Sequence, residues 1–327
     1  MNYRKLGKTD YQVAEISFGA WAIGGSWGEV KDQVSKQALE EAINQGINFF
    51  DTADVYGDGR SERLIGELKK KTSERIYIAT KAGRRLDPHY AEGYNRKNLT
   101  AFVERSRRNL KVDKIDLLQL HCPPTEVFYN EEVFNVLEDF VAKGVIEHYG
   151  VSVETIEEAK KSLDYDNLAS VMIIYNIFRP KPAEEFFQLA KEKNVGIIVR
   201  VPLASGLLTG KFSEDSVFPE DDHRNFNREG EAFDKGETFS GVDYKKGLQA
   251  VRELQQIKPE GITMAQFALK WILMNEAVSC VVPGAKNPQQ VRENAATTHL
   301  DDLSPEVMKK VDRIYEQNIK EDVHHLW

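Results

Sequence analysis

Residues 115–152 read IDLLQLHCPPTEVFYNEEVFNVLEDFVAKGVIEHYGVS, and this stretch decides the fold. Two short apolar runs, Ile115–Leu120 and Ile146–Val151, flank a segment over 130–143. In that segment Val133, Phe134, Val136, Leu137 and Phe140 recur at helical spacing. A continuous apolar run suits a strand covered on both faces, as in a parallel sheet. The stretch therefore predicts one strand–helix–strand unit.

Working outward in both directions, the same unit recurs. Strands are predicted at Glu15–Phe18, Ile47–Phe50, Ile76–Thr80, Ser170–Tyr175, Gly196–Val201 and Ser279–Val282. Helix-like spacing occupies 34–45, 61–70, 97–110, 154–163, 182–193, 245–256 with 263–274, and 288–297. Eight alternating strands and helices select a closed (β/α)8 TIM barrel over an open, doubly wound sheet. A chain of 327 residues suits a single barrel domain over 1–327. Tyr3–Lys5 and Gln12–Ala14 predict an N-terminal hairpin that could plug the bottom of the barrel. Ser304 as N-cap with Pro305 behind it predicts an extra C-terminal helix to about Gln317. Residues 212–241 are polar and aperiodic and follow the seventh barrel strand, where such a long loop is functional or disordered.

Composition removes several classes of function. A net charge of −8 disfavours nucleic acid as the main partner, because phosphate binding needs a basic face. Two cysteines, Cys122 and Cys280, build neither a disulfide framework nor a CxxC metal site, so a reducing, cytoplasmic setting is expected. The charged N-terminus lacks a signal-peptide core, and no apolar run is long enough to span a membrane.

Barrel enzymes place their chemistry at the C-terminal ends of the strands. There the chain delivers Asp51 and Tyr56, then Lys81, then His121, with Ser152, Asn176, Arg200 and the segment 283–286 on later strands. An ammonium beside a phenol stabilises the phenolate, so Lys81 is expected to make Tyr56 the more acidic. Asp51 would hold Lys81 charged, since a charge leaving water needs a partner. His121 could hydrogen-bond a substrate oxygen or assist proton delivery. Taken singly, Asp51 and Lys81 also read as a structural ion pair, and Tyr56 as an ordinary rim aromatic. His121 beside Cys122 lacks the ligand spacing of a zinc site, so no metal is expected.

The motifs that carry these residues resemble the aldo-keto reductase family: FFDTADVYGDGRSERLIGE at 49–67, IATKAG at 78–83, IDLLQLHCPP at 115–124, GVS at 150–152, VPLASGLLTGKF at 201–212 and VVPGAKNPQQVREN at 281–294. The resemblance covers nearly the whole chain. It implies an NADP-dependent oxidoreductase that reduces aldehydes and ketones, with Asp51, Tyr56, Lys81 and His121 as its catalytic tetrad and Tyr56 as general acid. It implies NADP(H) held by Ser152, Arg200, Leu203, Ser205, Gly206, Leu208, Gly210, Lys211, Gly284, Lys286, Gln290 and Asn294. Lys286 and a helix starting near Pro288 would attract the 2′-phosphate. Trp21 and Trp27, with Tyr56, would line an aromatic mouth for a small carbonyl substrate.

Three positions depart from the family pattern. Val153 stands where the family commonly has Asn, Met172 where it has Gln, and Arg200 where it stacks a Tyr on the nicotinamide. Arg200 could stack its guanidinium on the ring or bind a carboxylate or phosphate. The altered sub-site leaves a cofactor-binding regulatory subunit as the alternative to an enzyme. An aldolase using Lys81 as a Schiff base fits less well, given the phosphate-type loop at 283–294.

Overall fold

The computed structural model of the chain describes residues 1–25 and 30–327. Eight parallel strands follow one another in chain order: β3 (Phe18–Gly19), β4 (Phe49–Asp51), β5 (Tyr77–Ala82), β6 (Ile115–His121), β7 (Ile146–Ser152), β8 (Ser170–Ile174), β9 (Gly196–Arg200) and β10 (Val278–Val281). Parallel bridges from Ile16 to Val281 and from Gly19 to Gly284 close β3 onto β10, so the sheet is a barrel. The seam is tight: a Cβ on Gly19 would lie 2.5 Å from the Val282 carbonyl oxygen, a separation that admits only glycine. The strand β3 is shorter than the predicted run. The predicted run Glu15–Phe18 meets β10 through isolated bridges, and only Phe18 and Gly19 pair with β4.

Strand periodicity sorts the barrel into two cores. Phe50, Ile78, Leu118, Leu120, Val171, Ile173, Ile197 and Val199 face outward and pack under the helices. Phe49, Ala79, Leu117, Met172, Ile198 and Cys280 face inward. The N-terminal hairpin, β1 (Tyr3–Lys5) paired antiparallel with β2 (Gln12–Ala14), completes this inner layer with Leu6, Tyr11 and Val13. Tyr11 stacks on Tyr77 at the start of β5, with ring centroids 4.1 Å apart, which places the plug at the N-terminal end of the barrel.

The helices follow the predicted order with local differences. The segment predicted at 182–193 is two short helices, Lys181–Glu185 and Phe187–Glu192, broken where Phe186 leaves helical geometry at φ −124°. The C-terminal helix Pro305–Asn318 is capped by Ser304, whose Oγ accepts from the Val307 amide. Residues 212–241 pack against the barrel. They contain the turn His223–Phe226, and they bury Asp222, His223, Asn227, Glu237 and Thr238. The tail also packs: Trp327 is buried, and the Arg179 guanidinium lies 3.7 Å above its ring. Among the described residues, no helix is long and apolar enough to cross a membrane.

Candidate active site

The period of two that points Phe49, Ala79 and Leu117 inward also points Asp51, Lys81, Gln119 and His121 inward, one or two steps nearer the C-terminal rim. Parallel pairing aligns them: Lys81 lies opposite Gln119, and His121 opposite Ser152. Asp51 lies opposite Ala79, so by register these polar residues rise in steps toward one mouth. Asp51, Lys81, His121 and Ser152 line a cavity of about 330 Å³ together with Trp21, Tyr56, Met172, Arg200 and Glu237.

At its centre, the Lys81 ammonium donates to both Asp51 carboxylate oxygens at 2.7 Å, to the Thr52 carbonyl at 2.9 Å and to the Tyr56 hydroxyl at 3.3 Å. Lys81 is 1% exposed. Burial alone would pull its pKa down; Asp51 and then Tyr56 outweigh that and hold it raised. Gln119 donates to Asp51 at 3.5 Å from the other side.

Tyr56 corrects one expectation. Its phenol is pushed up to about 12, above its ordinary value, because burial outweighs the downward pull of Lys81, with Asp51 and Glu237 adding to the rise. Reasoning from the ammonium alone omitted the desolvation of the phenolate. A phenol of this kind keeps its proton throughout the neutral range, and the ammonium at 3.3 Å offsets the charge left when that proton is donated. His121 lies edge-on to the Tyr56 ring at 6.0 Å between centroids. Burial, and then the charges of Arg84, Lys81 and Arg200, hold it well below the usual histidine range. It is therefore a neutral hydrogen-bonding imidazole, not an imidazolium acid.

Of the residues expected to grip a cofactor, Ser152, Arg200, Leu203, Ser205, Gly206, Lys211, Gly284, Lys286, Gln290 and Asn294 line this cavity. Leu208 and Gly210 do not line it. Leu208 is wholly buried in the outer core, and Gly210 is the left-handed terminus of the turn Ala204–Thr209. Gly206 within that turn has φ +95°, a geometry that favours glycine. At the far end, Lys286 precedes the helix Pro288–Ala295, whose N-cap Asn287 accepts from the Gln290 amide, while the Gln290 side chain accepts from the Lys286 amide. Burial and the neighbouring Arg224 both pull Lys286 down, and Lys211 lines the same cavity. Lys211, Arg224 and Lys286 line one cavity, and cations there fit a phosphate-bearing ligand.

Trp21 stacks near Tyr56, with centroids 6.0 Å apart, and packs on His223 at 4.7 Å and Phe233 at 6.3 Å. Trp27 lies outside the described residues. His223, Arg224, Phe233 and Glu237 all come from the 212–241 segment, and sequence periodicity gave no sign of them. Arg200 donates to the Val153 carbonyl at 3.0 Å and pairs with Glu237 at 3.1 Å. Cys122, Glu154 and Glu237 are the one group among the described residues that could hold a metal ion, but Arg84 and Arg200 already pair with those carboxylates.

A family model described as "Aldo/keto reductase family" matches residues 15–316. The chain is 30% identical to "Aldo-keto reductase YhdN" of Bacillus subtilis, over 99% of this chain and 96% of that protein. It is 32% identical to a "Probable voltage-gated potassium channel subunit beta" of Arabidopsis thaliana, over 98% of each. The solved glycerol dehydrogenase from Gluconobacter oxydans is 27% identical and superposes with a TM-score of 0.80, over 97% of this chain and 96% of that one.

Proposed function

Because the chain belongs to the aldo/keto reductase family, we propose that it reduces aldehydes or ketones to alcohols with NADPH, Tyr56 serving as general acid. The observation that carries this reading is the 3.3 Å approach of the Lys81 ammonium to the Tyr56 hydroxyl, with Asp51 holding the ammonium charged. A substrate carbonyl oxygen accepts hydrogen bonds from Tyr56 and His121, which makes its carbon electrophilic. Nicotinamide, when bound, supplies the hydride. Tyr56 then gives its proton to the developing alkoxide, and Lys81 stabilises the phenolate that remains. In the reverse direction the same phenolate takes the alcohol proton.

Lys286, Gln290 and Asn294 would hold the adenosine end, with Lys286 on the 2′-phosphate. Leu203, Ser205, Gly206 and Lys211 would bracket the pyrophosphate, and Ser152 and Arg200 the nicotinamide end. Leu208 and Gly210 would act by shaping the turn that carries Ser205 and Gly206. Trp21, braced by His223 and Phe233, makes the mouth aromatic together with Tyr56, which suits a small, partly apolar substrate.

The test is to titrate the protein with NADPH and NADH, following tryptophan fluorescence, and then to follow NADPH absorbance with a panel of aldehydes, ketones and sugars. The reading predicts tighter quenching by NADPH and loss of absorbance with at least one aldehyde. Tight binding with no turnover across the panel would favour a cofactor-binding regulatory subunit, a role that the likeness to a channel β subunit supports.

A further inference from the structure

Glu237 projects from the long segment after β9 into the same cavity as Tyr56 and His121. It is 5% exposed, and its carboxylate draws together two guanidiniums from different strand ends: Arg84 at 3.0 Å and Arg200 at 3.1 Å. Each cation has a further partner, while Arg200 Nε has no hydrogen-bond partner. Arg84 pairs with Glu154 at 3.1 Å, and Arg200 donates to the Val153 carbonyl. Of the other charges here, Lys81 is matched by Asp51, and Arg179 faces Asp234 at 4.0 Å. The negative charge of Glu237 is felt at Tyr56, where it raises the phenol.

We propose that Glu237 is a specificity-determining residue that biases the pocket against substrates carrying a carboxylate. This rests on the carbonyl-reduction reading above. Arg200 lines the cavity and Arg84 meets it through the Glu237 carboxylate, so without that carboxylate the two guanidiniums would form a fork for an anionic substrate tail. Glu237 fills that fork from the protein side, so an incoming carboxylate meets a like charge and finds both donors occupied. The effect of Glu237 on the Tyr56 phenol acts on neutral and charged aldehydes alike and cancels in their ratio.

A structural role for Glu237 would impair all substrates alike; a charge role changes their ratio. The experiment therefore compares kcat/KM for 4-carboxybenzaldehyde and benzaldehyde in the wild type, Glu237→Gln, Glu237→Asp and Arg84→Met. The proposal predicts that Glu237→Gln moves the ratio toward the carboxylate by about tenfold or more, that Glu237→Asp stays within about threefold of wild type, and that Arg84→Met moves it the opposite way. A turnover-free arm measures benzoate and benzyl alcohol binding by calorimetry with NADP+ present, and the same directions are expected. Ratios that stay within about threefold of wild type in both Glu237→Gln and Arg84→Met overturn the proposal. If Glu237→Gln fails to fold by circular dichroism, Arg84→Met decides alone. A wild-type chain that turns over no member of the carbonyl panel, while the benzoate preference still shifts in the variants, refutes the reduction reading and leaves the charge assignment standing.

Discussion

Asp51→Asn is expected to destabilise the protein by about 3–5 kcal/mol, the usual cost of leaving one member of a buried pair uncompensated. The magnitude follows from the site. Both Asp51 oxygens lie 2.7 Å from the Lys81 nitrogen, and both residues are almost wholly buried. Unit charges at that separation attract by about 6 kcal/mol at an effective dielectric constant of about 20. The Thr52 carbonyl and the Tyr56 hydroxyl remain as acceptors for the ammonium and recover part of that loss. An unfolding entropy of about 2 cal/mol/K per residue then places the fall in Tm near 4–8 °C for a chain of this length. Differential scanning calorimetry at pH 7 measures it, alongside the double variant Asp51→Asn with Lys81→Met. The double variant should regain most of the loss, since no unpaired charge is left inside. A fall in Tm of less than about 1.5 °C for the single variant, or a double variant no more stable than the single, would refute the reasoning.

Three further outcomes are expected. Lys286→Ala should weaken NADPH by about tenfold or more and NADH by less than about threefold, read by fluorescence quenching, because one charge-assisted contact to the 2′-phosphate is removed; equal losses would remove the phosphate assignment. Asp54 is buried in the loop that carries Tyr56, and burial followed by Glu62 pushes its carboxyl up to about 7. Its raised folded pKa means that ionisation opposes folding as pH rises from the unfolded value through 7, so Asp54→Asn should gain about 2–3 kcal/mol relative to wild type between pH 5 and pH 8 in urea titrations; a flat difference would contradict this. Trp327→Ala should cost about 3 kcal/mol in the same assay, because the indole fills the space between Arg179, Gly236 and Gly241.

Much of this architecture was legible because barrel strands are short, apolar and separated by segments of helical spacing. The strand ends that carry Asp51, Lys81 and His121 could be read for the same reason: period two fixes which residues point inward once the apolar ones are assigned. The 212–241 segment could not be read. Its polar residues are buried through bonds to distant partners, such as Glu237 with Arg84, 153 positions away, and periodicity records nothing at that range. The fate of Arg200 was hidden likewise, since its partner Glu237 lies in that segment. The direction of the Tyr56 shift was misjudged because burial depth is a property of the whole fold, whereas the ammonium was visible in the motif.

The central claim is that Tyr56 delivers the proton and Lys81 carries the charge left behind. The most direct measurement is single-turnover NADPH oxidation with saturating aldehyde by Tyr56→Phe, with NADPH affinity measured in parallel. The account predicts a rate lower by about 100-fold or more with cofactor binding unchanged. A variant that oxidises NADPH within about tenfold of the wild-type rate would contradict it.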